Sequence, residues 1–156
     1  MHKRSSCEQG AALLEFAMVM VLLFVLLFGI ITFGYMMSFR QSMTQSAAEG
    51  ARAAAGAPRP LAGAVYDNSI ALTRAREATA LAVSGFGKSC NAGGLTCTWE
   101  VLDCNGSADT AATPDCMTVT LSYDYAGHPL LPEFPLVSAA VPNTLAATSV
   151  VQLNAE

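Results

Sequence analysis

From Phe16 to Met37 the chain runs for 22 residues without a charge. At about 1.5 Å of rise per residue, such a run spans the ~30 Å hydrocarbon core of a bilayer as a helix. Helix is the form that satisfies every backbone donor and acceptor there without help from another strand. One acid, Glu15, stands at the entrance to the run, and ahead of it lie Gly10 and a polar leader containing Lys3 and Arg4. A carboxylate costs about 2.5–3.5 kcal/mol at the bilayer centre and less toward the surface, so its placement calls for a reason. An ordinary secretory signal has roughly 7–15 apolar residues followed by a small-residue cut site. This run is longer, which disfavours a removable signal even though Ala47 and Ala48 supply small residues downstream. No second span is expected, because Pro135, Pro142 and Asn143 interrupt the apolar stretch from Phe134 to Leu153.

Beyond Met37 there is room for one small outer domain with a modest core. A net charge of −4 argues against a nucleic-acid partner. The charge is unevenly placed. Arg40, Arg52, Arg59, Arg74, Arg76 and Lys88 lie between Ser38 and Lys88, against Glu49, Asp67 and Glu77. From Ser89 onward there are seven acids and no Lys or Arg. Basic flanks do not orient the span, since Lys3 and Arg4 before it are matched by Arg40 and Arg52 after it. The cysteines orient it better. Cys90, Cys97, Cys104 and Cys116 form an even set in a loop-rich segment, the pattern of two disulfides in an oxidising compartment, with Cys7 left over in the leader.

Chemistry-bearing motifs are scarce. The cysteine spacing contains no Cys-x-x-Cys pair, against zinc binding or thiol redox work. His2 and His128 stand apart, with no second histidine or cysteine at ligand spacing and no triad partners. Gly93-Gly94 lacks the Lys-Ser or Lys-Thr that completes a phosphate-binding loop. The expectation is a chain that is not an enzyme, with no metal, no cofactor and no small-molecule substrate.

The pattern predicts an α+β fold. A first helix runs from about Ala11 to Ala55, with a stripe Phe39, Met43, Ala47, Gly50, Ala54 at spacings of four, four, three and four beyond the apolar run. Gly56, Pro58 and Pro60 end it. A second helix is predicted over Asn68–Ser84, with a small-residue face of Ala71, Ala75, Ala78 and Ala82 and a stop at Gly85 and Gly87. Strands follow at Leu95–Cys104, Met117–Tyr125 and Leu145–Leu153, with a bridge through Pro129, Pro132 and Pro135 before the last. Cys97, Trp99 and Val101 alternate with Thr98 and Glu100, while Met117, Val119, Leu121, Tyr123 and Tyr125 alternate with Thr118, Thr120 and Ser122. Setting Cys104 opposite Cys116 places Trp99 opposite Leu121 and Val101 opposite Val119, and by elimination leaves Cys90 for Cys97. Spacing alone does not fix the connectivity. The expected organisation is a leader at 1–10, a helix at 11–57 with its span at about 16–37, and a disulfide-braced domain at 58–156.

Read together, Gly10-Ala-Ala-Leu-Leu-Glu15-Phe16-Ala17, Phe28-Gly-Ile-Ile-Thr-Phe-Gly34, Arg40-Gln41 and Ala48-Glu49-Gly50-Ala51-Arg52 resemble the TadE-like family of tight-adherence (Tad) pilus assembly proteins, which are pseudopilins or minor pilins. The tail is compatible, with its Tyr123 to Tyr125 strand end, proline-rich bridge and final apolar strand. The resemblance implies cleavage by a prepilin peptidase between Gly10 and Ala11. It implies a single-pass protein of a bacterial inner membrane with its outer domain in the periplasm, partnered with other pilins and the Tad machinery. Two positions depart from the family: Gln9 where a basic residue is common, and Thr32 where many members carry an acid.

Under this resemblance Glu15 becomes the fifth residue of the trimmed chain. The new amino terminus on Ala11 is then a cation, and Glu15 of a neighbouring subunit pairs with it, with Phe16 beside it in the assembly surface. A plainer account leaves Glu15 at the lipid surface, complementing the positive helix N-terminus. Gly29 and Gly34 permit close helix approach, or are ordinary residues of a membrane helix. Glu49 and Arg52 form a surface pair or a partner contact. The expected function is therefore mechanical: a helix stored in lipid, trimmed, and packed against like helices. Its rivals are a membrane-anchored periplasmic assembly or binding protein that is never cleaved, and a secreted domain behind an atypical signal.

Overall fold

The computed structural model of the protein describes residues 5–57, 68–104, 115–131 and 141–153. Two helices and three strands follow in chain order: α1 (Ser5–Ala55), α2 (Asn68–Ser84), β1 (Leu95–Asp103), β2 (Asp115–Asp124) and β3 (Thr144–Gln152). This is the expected α+β architecture of a long apolar helix, a second helix and a small antiparallel sheet with disulfides. The chain divides into two compact units, one of Met1–Met37 with Leu131–Val141, the other of Ser38–Leu130 with Pro142–Glu156. Pro58, Pro60, Pro132, Pro135 and the Asn105-Gly106 connection lie outside the described residues.

α1 begins at Ser5, six residues before the expected start at Ala11. Gly10 in a helix costs only about 1 kcal/mol relative to Ala, and propagation from a helix this long overrides it. The helix closes where expected, with Gly56 N–H donating to the Arg52 carbonyl at 3.1 Å and Ala57 N–H to that of Ala54 at 3.0 Å.

In the second unit, the predicted stripe of α1 is the buried one. Met43, Ala47 and Ala54 are wholly enclosed and Phe39 nearly so, whereas Gln41, Gln45, Glu49 and Arg52 are exposed. Gly50 is the point of closest approach to α2, since a Cβ there would strike the Thr79 hydroxyl and lie 3.2 Å from the Ala75 carbonyl oxygen. The buried face of α2 is Ala71, Ala75, Thr79 and Val83. It differs from the expected face in its second half, where Ala78 and Ala82 are half-buried. Thr79 tolerates burial because its hydroxyl donates to the Ala75 carbonyl (2.6 Å) and accepts the Trp99 indole N–H (3.2 Å). Arg74 reaches back to the Gly56 carbonyl at 3.1 Å, placing a cation at the C-terminal end of α1. α2 then stops on Gly87, whose φ of +73° suits a residue without a side chain.

The sheet has the order β1-β2-β3, antiparallel throughout. Its register differs by two residues from the expected one. Trp99 faces Val119, Val101 faces Met117, and Cys116 faces Leu102 rather than Cys104. A two-residue slip returns every side chain to its own face, so the alternation survives: Leu95, Cys97, Met117, Val119, Leu121 and Tyr123 are buried on the helix side. Cys104 sits one residue beyond the end of β1 and still bonds Cys116 across a Cα–Cα distance of 5.0 Å. Cys90 bonds Cys97 at a Cα–Cα distance of 5.4 Å. Phe39 meets Tyr123 and Phe86 edge-on, at 4.9 and 5.5 Å between ring centroids, joining α1 to the sheet. Lys88 lies 5.0 Å over the Tyr123 ring, and the Tyr123 hydroxyl donates to the His128 carbonyl at 2.7 Å.

Candidate assembly surface on the first helix

A helix that is apolar on all sides belongs either in the centre of a large protein or in a membrane. α1 contains the one helix among the described residues long and apolar enough to cross a bilayer. Most of its apolar side chains are not covered by protein; Met36 is buried and Met20 and Phe28 are half-buried. Leu13, Met18 and Leu22 are about 70% exposed, and Phe16, Val19, Val21, Leu23 and Leu26 are exposed on the remaining sides. An uncovered apolar surface this continuous needs lipid or other chains around it. The first part of α1 thus has the length, composition and exposure of a membrane-crossing helix, which suggests an anchor.

The expected site residues fall at the head of this helix. Gly10, Ala11, Glu15 and Phe16 are all exposed, and nothing lies within 4 Å of where a Gly10 Cβ would be. Ala11 and Glu15 are one turn apart on the same face, with Cβ atoms at the ~5–6 Å spacing of such pairs. Among the described residues Glu15 makes no ion pair. The backbone through Gly10 and Ala11 is helical, not extended. Gly29 and Gly34 also face open space. Thr32, by contrast, is 7% exposed.

Residues 10–52 match the TadE-like protein family. No curated protein and no solved structure matches the chain. The TadE-like stretch takes in Gly10, Glu15, Phe16, the whole charge-free run and the buried stripe as far as Gly50. It ends at Arg52, which pairs with Glu49 at 3.3 Å as an exposed salt bridge one turn apart. α2 and the sheet lie beyond the TadE-like match.

Other chemistry is thinly represented. Among the described residues no three His, Cys, Asp or Glu side chains gather at a spacing that would hold a metal. His128 is exposed on a turn, packed against Gly94, and His2 lies outside the described residues. An open groove of about 570 Å³ runs between α1 and the end of α2, lined by Ser42, Gln45, Glu49, Arg52, Ala82 and Phe86. It brings together one acid and one base, already paired with each other. Sequence reasoning missed the Gly50–Thr79–Trp99 junction that fixes α1 against α2 and β1. The available signal was a glycine in the middle of an otherwise apolar stripe.

Proposed function

We propose that the chain is a TadE-like pseudopilin, a structural or assembly component of a bacterial tight-adherence pilus. The observation that carries this reading is the coincidence of the TadE-like match with a charge-free apolar helix whose side chains are mostly exposed. In this reading a prepilin peptidase cuts between Gly10 and Ala11. The trimmed helix stays in the inner membrane with Ser38–Glu156 in the periplasm, and then exchanges lipid for the helices of other pilins. The exchange is nearly neutral for the apolar side chains, because hydrocarbon tails are as apolar as leucine. Direction comes from Glu15. Its desolvation is offset only when it meets the cationic Ala11 terminus of a neighbour, which makes the pair a register device. The work is mechanical, without a catalytic group or cofactor. Specificity for partner subunits resides in α2 and the sheet.

A second reading, an uncleaved anchor for a periplasmic assembly or binding protein, is favoured by one observation: α1 continues through Gly10 without a break. A protease takes its substrate extended, so cutting here requires the first turns to unwind, which the glycine makes easier. Intact-mass spectrometry of the protein from its own membranes separates the readings. A product lacking residues 1–10 only when the peptidase is present supports the pseudopilin. A full-length product supports the anchor, and a start near Glu49 supports a secreted domain.

A further inference from the structure

One end of the sheet is tied to the start of the outer domain. Leu95 of β1, Tyr123 of β2 and Leu145 of β3 form a buried row there. Past that row the turns bond to one another. Asp124 N–H donates to the Gly94 carbonyl at 2.9 Å, and the N–H groups of Tyr125 and Ala126 share the Asn143 carbonyl at 2.9 and 3.1 Å. Phe39 meets this end through Tyr123. Along the unbroken helix α1, Phe39 stands two residues past Met37, the last of the charge-free run. That is about 3 Å of rise. With the run in hydrocarbon, the turns beside Tyr123 come within reach of the headgroup layer, which adds roughly 5–7 Å to each side of the core.

The charges at this end suit that layer. Arg40, the next residue of α1, is exposed, and the Lys88 ammonium sits 5.0 Å over the Tyr123 ring and 3.3 Å from its hydroxyl. Among the described residues neither cation has a carboxylate partner. The other described bases of the unit are engaged: Arg52 by Glu49, Arg74 by the Gly56 carbonyl and Arg76 by the face of Trp99. The acid of this end, Asp124, accepts the Gly127 N–H at 3.1 Å. Glu100, Asp103 and Asp115 lie toward the opposite end of the strands. Asp103 is eight residues from Leu95, about 26 Å along the strand, which is well beyond a Debye length of about 10 Å.

We infer that this end of the outer domain docks on phospholipid headgroups, the Arg40 guanidinium and the Lys88 ammonium donating to lipid phosphate. Guanidinium and ammonium groups are the usual phosphate donors, the first by a two-point fork and the second as a point charge. A lysine stem lying along an aromatic ring with its ammonium free beyond it is also the arrangement favoured at membrane surfaces. The inference rests on the membrane reading of α1 and not on the use of the helix in a pilus.

The test is spin-label relaxation on the full-length chain in vesicles of phosphatidylcholine mixed with phosphatidylglycerol, with nickel chelated to a lipid headgroup as relaxing agent. A Cys7→Ser background leaves the other four cysteines in disulfides. A nitroxide on Ala126→Cys, at the exposed turn, is relaxed by the nickel lipid. One on Val150→Cys, 57% exposed and six residues along β3 from Thr144, is not, because it stands about 20 Å farther out. Arg40→Gln and Lys88→Gln each lower the docked-to-free ratio about fivefold in these vesicles, and Lys88→Arg retains it. For the unaltered side chains, high salt or pure phosphatidylcholine gives the same decline. Equal relaxation at 126 and 150, or none at 126, overturns the proposal. So does relaxation at 126 that ignores salt, phosphatidylglycerol and the loss of both cations. Flotation of the chain with the vesicles is read alongside. Failure to float removes the membrane reading of α1 and the docking with it, whereas flotation without relaxation at 126 removes the docking alone.

Discussion

Gly50 of α1 lies so close to the hydroxyl of Thr79 on α2 that a Cβ at position 50 would occupy the same space. Gly50→Ala should therefore destabilise the outer domain. Overpacking costs about 1–3 kcal/mol, and the gain in helix propensity returns about 1 kcal/mol, leaving a net loss of up to about 2 kcal/mol. Adding Thr79→Ala removes the obstructing oxygen and should recover part of it. Gly34→Ala, with nothing within 4 Å, is the control. Thermal unfolding followed by circular dichroism reads all three, and an unshifted midpoint for Gly50→Ala would show that the helices part without cost.

Phe39 is the residue through which α1 grips the sheet. It is 7% exposed and wedged edge-on between Phe86 and Tyr123. Phe39→Ala should cost about 3–5 kcal/mol, the range for truncating a buried aromatic. Phe33→Ala, at a position 38% exposed, should leave the unfolding midpoint of the outer domain where it is.

The two disulfides close loops of sequence separation 7 and 12. Chain entropy assigns each about 2.5–3 kcal/mol, slightly more to the longer. Replacing either pair by alanines should lower denaturant stability by about that amount, and replacing both by roughly the sum. A much smaller loss would mean that the unfolded chain is already compact in this region.

For the TadE-like reading, position and charge at the head of α1 separate two steps. Gly10→Val should insert in the membrane normally and remain untrimmed, as an immunoblot for the precursor would show. Glu15→Ala should be trimmed at the wild-type rate and fail to co-purify with partner pilins. Normal trimming of the first variant, or normal co-purification of the second, contradicts the roles assigned to these residues.

The sequence made both helices legible because their signals are redundant: an apolar run too long for a globule, a stripe at helical spacing, and glycines at the ends of α1 and α2. The strands were legible as alternations, but their register was not. Period-two patterning is blind to a slip of two residues, and the feature chosen to break that tie, Cys104 against Cys116, misled because Cys104 lies just past the last paired residue of β1. The buried face of α2 was misjudged for a related reason. Composition favours alanine over threonine inside, yet Thr79 has both a carbonyl to donate to and an indole to accept from. At the head of α1, sequence supplied every candidate residue. It did not supply the helical state of Gly10, since a single glycine looks like a boundary until the cooperativity of its neighbours is counted.

Four of the five cysteines are consumed in the sheet domain, and the fifth, Cys7, lies ahead of Gly10. A product cut after Gly10 therefore has no sulfhydryl left, while the precursor keeps its one. A maleimide dye applied to denatured, unreduced protein would stain an uncut chain and leave one cut after Gly10 dark, so the oxidised state of the outer domain would report directly whether the proposed cut is made.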